Sequence, residues 1–432
     1  MKILSKTTAL AAAIFSICAT NAFASPGDLD NAFGTGGFTE TSVMGFNGEA
    51  HAITHDRFGR LVVAGYSYND DLDTSVIVVA RFLRDGTLDT SFGDTGTGFV
   101  TTTPPGGLTD GTNSFAIAID SKDRIVVGGD VGVIDSRGFV TTMFTVARYL
   151  PNGLEDDSFG ERGLAQTLVS PGEIDAAVKS LAIDAKDRIV AFGYTEGGSA
   201  AGGVLVRYNE DGTQDHGFAH TGVVTMNPYG NFAASTVRMD SVGRILILGQ
   251  DIDPTTLTTV SIVERYLDDG ELDTAFGNTA SGFSESPDIL ANSMQLDSAD
   301  DVLVGGAAFD DFTFTTERFD STGALDPSFG TDGITTAPVL LLSADPSDLQ
   351  WDNRGNIVVG ATINGGFGAV RFSGDGVFDE SFGSFGIATG PVSTTTSYFV
   401  AGLAVDDSDR FTLGGWSSDG INESFVVARF DN

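Results

Sequence analysis

The four histidines of this 432-residue chain come as two pairs with three residues between partners: His51 with His55, and His216 with His220. On an extended run four residues span roughly 13 Å, too far for His51 and His55 to hold one ion. His216 and His220 stand beside Asp215 in a turn-like stretch, where such groups can converge on a metal, but the stretch repeats along the chain as a structural turn. No metal site is therefore expected. Carboxylates dominate the remaining chemistry, with 59 Asp and Glu against 23 Lys and Arg and a formal net charge of -36. Among so many acids, pairs spaced for glycoside or lactone chemistry arise by number alone. The run Asp70, Asp71, Asp73 suits at most weak Ca²⁺ binding, because it lacks the spaced Asp-x-Asp-x-Asp-Gly loop. No other cofactor is implied. There is no His-Glu-x-x-His, no phosphate-binding Gly-Lys-Ser/Thr loop and no Gly-x-Ser-x-Gly elbow, so no residue is assigned a catalytic role.

The elements that carry these groups are set by a repeat. An Arg followed by an aromatic residue precedes a Phe by eleven positions in Arg81/Phe92, Arg148/Phe159, Arg207/Phe218, Arg265/Phe276, Arg318/Phe329 and Arg371/Phe382. The Phe recurs alone at Phe33 and the Arg at Arg429. Eight residues after each of the six complete Arg positions stands Asp89, Asp156, Asp215, Asp273, Asp326 or Asp379. The other half of the unit is a short apolar run ending in Asp56, Asp120, Asp184, Asp240, Asp297, Asp352 or Asp406, then a turn and a longer apolar run reaching Gly. Three residues after each of these Asp residues only Gly or Asp occurs, which fits a positive φ.

At about 150 residues per domain the length alone suggests three domains, but the repeat replaces that reading with one. Residues 25–432 divide into seven units of about 58 residues, and both ends fall at the same phase of the unit. Such phasing fits a closed ring whose first and last segments complete one shared blade, whereas an open solenoid favours distinct caps. Each unit offers four strand-like runs, in the first copy Ala52–His55, Arg60–Gly65, Ser75–Phe82 and Gly98–Thr103. Their continuous Val/Ile character requires cover on both faces. The expected fold is all-β: a single seven-bladed propeller of four-stranded antiparallel blades, closed by pairing Gly37–Val43 with the C-terminal blade.

The stretch Ala-Arg-Tyr-Leu-Pro-Asn-Gly-x(4)-Ser-Phe-Gly-x-x-Gly at 147–163, with Leu181-Ala182-Ile183-Asp184 and Arg188-Ile189-Val190, resembles the bacterial delta-60 repeat. The resemblance runs over residues 25–432, with local departures at His216-Gly217-Phe218-Ala219 and at Ala361, where a Gly is usual. It implies an exported, propeller-like protein and no particular activity.

Residues present in every copy read as structural, since one active site needs no sevenfold repetition. Arg81, Arg148, Arg207, Arg265, Arg318, Arg371 and Arg429 are expected to tie turns together, Arg81 by pairing with both Asp56 and Asp89. Function is expected where copies differ, in loops after the Gly of the second strand. There the sequence offers Tyr66, Tyr68, Asp70, Asp73, Tyr194 and Trp416. Aromatic platforms beside carboxylates suit a saccharide or a cation. The expected function is binding of a saccharide, small molecule, cation or protein without catalysis. The alternative is a secreted hydrolase or lyase that uses carboxylates or a divalent ion in the central channel.

Residues 1–24 read as a signal peptide, with Lys2 and Lys6, an apolar stretch from Thr8 to Thr20, and Ala22-Phe23-Ala24 before cleavage at Ala24/Ser25. The one cysteine, Cys18, lies inside it. The remainder, 25–432, is expected to be a secreted or periplasmic monomer. Its acidity argues against nucleic acid, and no later stretch reads as a membrane-inserted helix.

Overall fold

The computed structural model describes residues 25–432 except 44, 70–73, 104–111, 135–137, 139, 170–172, 198–201, 227–231, 253–254, 256–257, 278–280, 287–288, 309–312 and 339–343. The signal-peptide reading of 1–24, and Asp70, Asp71 and Asp73, lie outside the described residues.

Seven four-stranded antiparallel sheets form the blades of one ring. Blade 1 contains Asn47–His55, Leu61–Asn69, Thr74–Phe82 and Phe99–Thr102, in that order from the axis outward. Blades 2 to 7 have the inner strands Asn113–Ile119, Glu173–Ile183, Ala233–Met239, Ile289–Leu296, Ala344–Trp351 and Ser397–Val405. The N-terminal strand Phe38–Thr41 is the outermost strand of blade 7, paired with Glu423–Phe430 in the register Phe38 to Ala428 and Thr41 to Phe425. The ring is thus closed by the two ends of the chain.

Packing between blades follows from the apolar runs. Phe33, Val63, Val78, Phe425 and Val427 share one cluster between blades 7 and 1, and Val62, Val79, Phe92, Ile125 and Tyr149 share the next. Each fully buried Val, Ile or Phe contributes about 1.5–3 kcal/mol, which explains why both sheet faces are apolar. The turn positions expected to have positive φ do so, with Asp123 at 60°, Asp187 at 58°, Asp300 at 63° and Asp409 at 66°.

The repeated arginines form a circuit at the turn-bearing face. Arg81 Nε donates to Asp89 Oδ2 at 2.8 Å, and its Nη1 reaches the Pro151 carbonyl of blade 2 at 2.5 Å. Arg148 likewise reaches Glu210, Arg207 reaches Asp268, Arg265 reaches Ser321, Arg318 reaches Gly374, and Arg371 reaches the side chain of Asn432. Arg429 completes the circuit at the carbonyl of Arg84. Asp156, Asp215, Asp273, Asp326 and Asp379 each hold the arginine of their own blade. The sequence reading needs one correction here. Asp56 is bonded by Arg60, at 2.6 Å, and Arg81 takes only Asp89. The short step from Asp56 to Arg60 lets that arginine fold back on its own turn, which frees Arg81 to bind the next blade.

A second correction concerns the strands. The second strand does not end at its Gly: Leu61–Asn69 continues past Gly65. In every blade the inner strand carries a register shift, between Ala50 and Ala52 in blade 1 and at equivalent points in the others. Gly65 pairs with Ala50 beside this bulge, and a Cβ there would lie 2.0 Å from the Glu49 carbonyl. Gly is kept because the bulge pushes a carbonyl against it, so Tyr66, Tyr68, Tyr194 and Trp416 stand on strands instead of in loops.

Candidate functional site at the channel mouth

The bulge sets one residue per blade out of the register of the ladder. These residues are His51, Phe115, Lys179, Ser235, Asn292, Ser347 and Ala401, and all seven line a central cavity of 520 Å³. Each stands five positions before the turn Asp of its blade. The backbone is repeated and the side chain is not, so a sevenfold scaffold presents six different side chains, with only Ser occurring twice.

On blades 7, 1, 2 and 3 these groups join the residues that follow the bulge Gly in a continuous arc. Phe399 stacks on Trp416 with centroids 5.1 Å apart, and Trp416 lies 5.2 Å from His51. His51 stacks on Tyr66 at 5.5 Å and meets the edge of Phe115 at 5.4 Å. Lys179 Nζ then sits 3.4 Å from the centroid of Phe115 and 5.5 Å from that of Tyr194. Three of the residues singled out from the sequence, Tyr66, Tyr194 and Trp416, therefore belong to one surface. Tyr68 pairs in register with Asn47 and Ser75, farther along the strand.

Sequence reasoning passed over His51, Phe115, Lys179 and Phe399 as site residues. For His51, Phe115 and Lys179 the usable signal was the position five before each turn Asp, where residue type varies; Phe399, seven before Asp406, carries no such signal. His216 lies on the opposite face, its Nδ1 3.0 Å from the Thr221 carbonyl, and no cluster of three metal-ligating side chains occurs among the described residues.

Charge is concentrated beneath the rings. His51 Nε2 lies 3.1 Å from Glu49 Oε2, a close contact without hydrogen-bond geometry. Burial pushes the Glu49 carboxyl up, but the contacts from His51 and Tyr66 outweigh it and hold it below the ordinary value. The Tyr66 hydroxyl is pushed well above its ordinary range, first by burial and then by the Glu49 charge. On blade 2, burial pushes the Asp130 carboxyl up to about 7, opposed by the Asn113 amide and the charge of Lys179. Burial also lowers the Lys179 ammonium. The mouth thus brings π faces, a cation and two acids with displaced titrations to one place.

Residues 59–92 and 187–218 match a family model described as a domain of unknown function (DUF5122) β-propeller, which supports a propeller-repeat family. No curated protein sequence matches the chain. Among solved structures, an ulvan lyase of polysaccharide lyase family PL25, solved with a -[GlcA(1-4)Rha3S]- ligand, is 10% identical; the match covers 91% of this chain and 96% of that one with a TM-score of 0.53. The polysaccharide lyase Uly1 is 12% identical over 88% of this chain and 89% of its own, with a TM-score of 0.50. A Dyadobacter fermentans protein of unknown function is 10% identical over 91% and 99%, with a TM-score of 0.48. The likeness to the two lyases shows a shared propeller fold.

Proposed function

We propose that this chain is an exported, delta-60-type propeller that binds a saccharide at the channel mouth, cleaved at Ala24/Ser25 and acting as a monomer outside the cytoplasm. The observation that carries this reading is the arc of Phe399, Trp416, His51, Tyr66, Phe115 and Tyr194 across four blades. Sugar rings stack their C–H faces on aromatic planes, and the flanking Glu49 and Lys179 supply polar groups that fix orientation. Thermal-shift and calorimetric titration with a panel of neutral and acidic oligosaccharides tests it. Binding that Trp416→Ala removes supports the reading, and the absence of a response to every saccharide sinks it.

A second reading has an observation of its own. Tyr66, Glu49 and His51 touch one another at the mouth, and Asp130 titrates near neutrality on the next blade. That is the equipment of proton transfer, and it suits a lyase or hydrolase acting on the bound sugar. The named lyases share this fold and lend the reading a class of substrate to try. Appearance of an unsaturated uronate by ultraviolet absorbance, or of new reducing ends, distinguishes catalysis from binding alone.

A further inference from the structure

The cavity below the arc is asymmetric around its axis. At the position two before the turn Asp, blades 2 and 3 contribute Ala118 and Ala182, while blades 4, 5 and 6 contribute Arg238, Gln295 and Gln350. Arg238 is half-buried and lines the cavity. Its Nε donates to Gln295 Oε1 at 3.3 Å and its Nη1 to the Val237 carbonyl at 2.9 Å. A guanidinium has five N–H donors, so most of its capacity is unused.

What Arg238 lacks is a carboxylate in direct contact. Each of the arginines buried in the blades, such as Arg81, Arg148 and Arg207, has a carboxylate in direct contact. Arg238 has none within ion-pair distance among the described residues. The carboxylate whose charge acts on it is Asp348, and that group is engaged elsewhere. Asp348 Oδ1 accepts from Ser293 Oγ at 2.7 Å and Leu349 N at 2.8 Å, and Oδ2 accepts from Leu403 N at 3.2 Å. Asp348 therefore acts on Arg238 through its field and not by a direct bond, and its own burial favours its neutral form. The space beside Arg238 is open cavity, and 520 Å³ is the size of a small-molecule pocket.

We propose that Arg238 anchors a carboxylate-binding site inside the channel, with Gln295 and Gln350 as its amide neighbours. A carboxylate matches the planar guanidinium fork and can take two of its parallel N–H donors. The ligand is a small organic acid or the acid group of a uronate. The inference does not depend on the aromatic arc, because a simple carboxylate has no ring to stack.

Calorimetric titration of the full chain with acetate, glucuronate and sulfate tests it, alongside Arg238→Gln and Gln295→Glu. The second variant places an internal carboxylate where Gln295 already accepts from Arg238, so it occupies the site without removing the cation. Acetate and glucuronate are expected to bind with one-to-one stoichiometry, and each variant is expected to weaken both at least tenfold. Gln295→Glu is also expected to raise the melting temperature, which shows that the variant is folded. Tighter binding of glucuronate than acetate assigns a sugar acid, and equal binding assigns a free organic acid. Lack of binding by both carboxylates, binding indifferent to both variants, or sulfate binding as tightly as either would overturn the proposal. Failure of the mouth reading appears separately, as loss of neutral oligosaccharide binding with acetate unaffected.

Discussion

Arg429 and Asp30, 399 positions apart in the chain, are joined at one oxygen by a hydrogen bond from Nε to Oδ2 at 2.9 Å and an ion-pair contact from Nη2 to Oδ2 at 2.7 Å. The same guanidinium lies 4.5 Å from the centroid of Phe33. These contacts repeat at the ring closure what Arg81, Asp89 and Phe92 do within a continuous segment. The closure is thus a normal blade junction whose halves come from opposite ends of the chain.

Arg429→Met should therefore be strongly destabilising. It leaves Asp30 without its principal partner in a buried junction and removes the bond to blade 1, a loss on the order of 3–5 kcal/mol. A melting temperature several degrees below wild type is expected, with Arg429→Lys in between because it keeps charge and loses the fork. Unchanged melting with impaired ligand binding would show that these arginines serve an anion site instead.

Trp416→Ala and Phe115→Ala should each weaken saccharide binding at least tenfold, because each removes a ring from the middle of the arc. A lost aromatic contact of about 1.5 kcal/mol is enough for that factor. Tyr68→Ala serves as the internal control, since Tyr68 stands two positions farther along its strand than Tyr66. Equal losses in all three variants, measured by calorimetry, would mean that the arc is not the binding surface.

Gly65→Ala tests the connection between bulge and site. Its methyl would meet the Glu49 carbonyl at 2.0 Å, and backbone on both strands leaves no flexible group to yield. The expected result is a loss of stability of about 1–3 kcal/mol together with weakened binding, since His51 is placed by the same bulge. Retained stability and affinity would show that the bulge does not set His51.

The ring, its blade count and its closure were legible in the sequence because each is a matter of period and phase. Arg429 lacked a following Phe and Phe33 lacked a preceding Arg, so the two halves identified each other. The site was only half legible. Tyr66, Tyr194 and Trp416 were recovered from their place after the Gly, but His51 was weighed only with His55 as a metal-binding pair and set aside as too far from it. A bulge breaks the period of two by which facing residues are recognised, so nothing in the local pattern shows that His51 points to the axis. Lys179 and Phe115 were harder still, since their meeting depends on neighbouring blades and not on neighbouring residues. Arg238 could not be told from a repeated arginine's role until its missing carboxylate was seen in space.

Asp130 gives the stability a pH dependence with a definite sign. Its folded carboxyl titrates near 7, against about 3.9 in an unfolded chain, because burial favours the neutral form. The folded state therefore holds its proton more tightly. The stabilisation is complete below the unfolded value and is lost as pH rises through about 7. Asn113 and Lys179 face the group and limit the shift, while the charge of Asp175 adds to it. About three pH units correspond to roughly 4 kcal/mol, so Asp130→Asn should match wild type near pH 4 and exceed it by up to that amount at pH 8. Urea unfolding at both values measures the difference. Parallel curves for the two proteins would mean that Asp130 ionises freely, and the channel mouth would then hold no group poised near neutrality on blade 2.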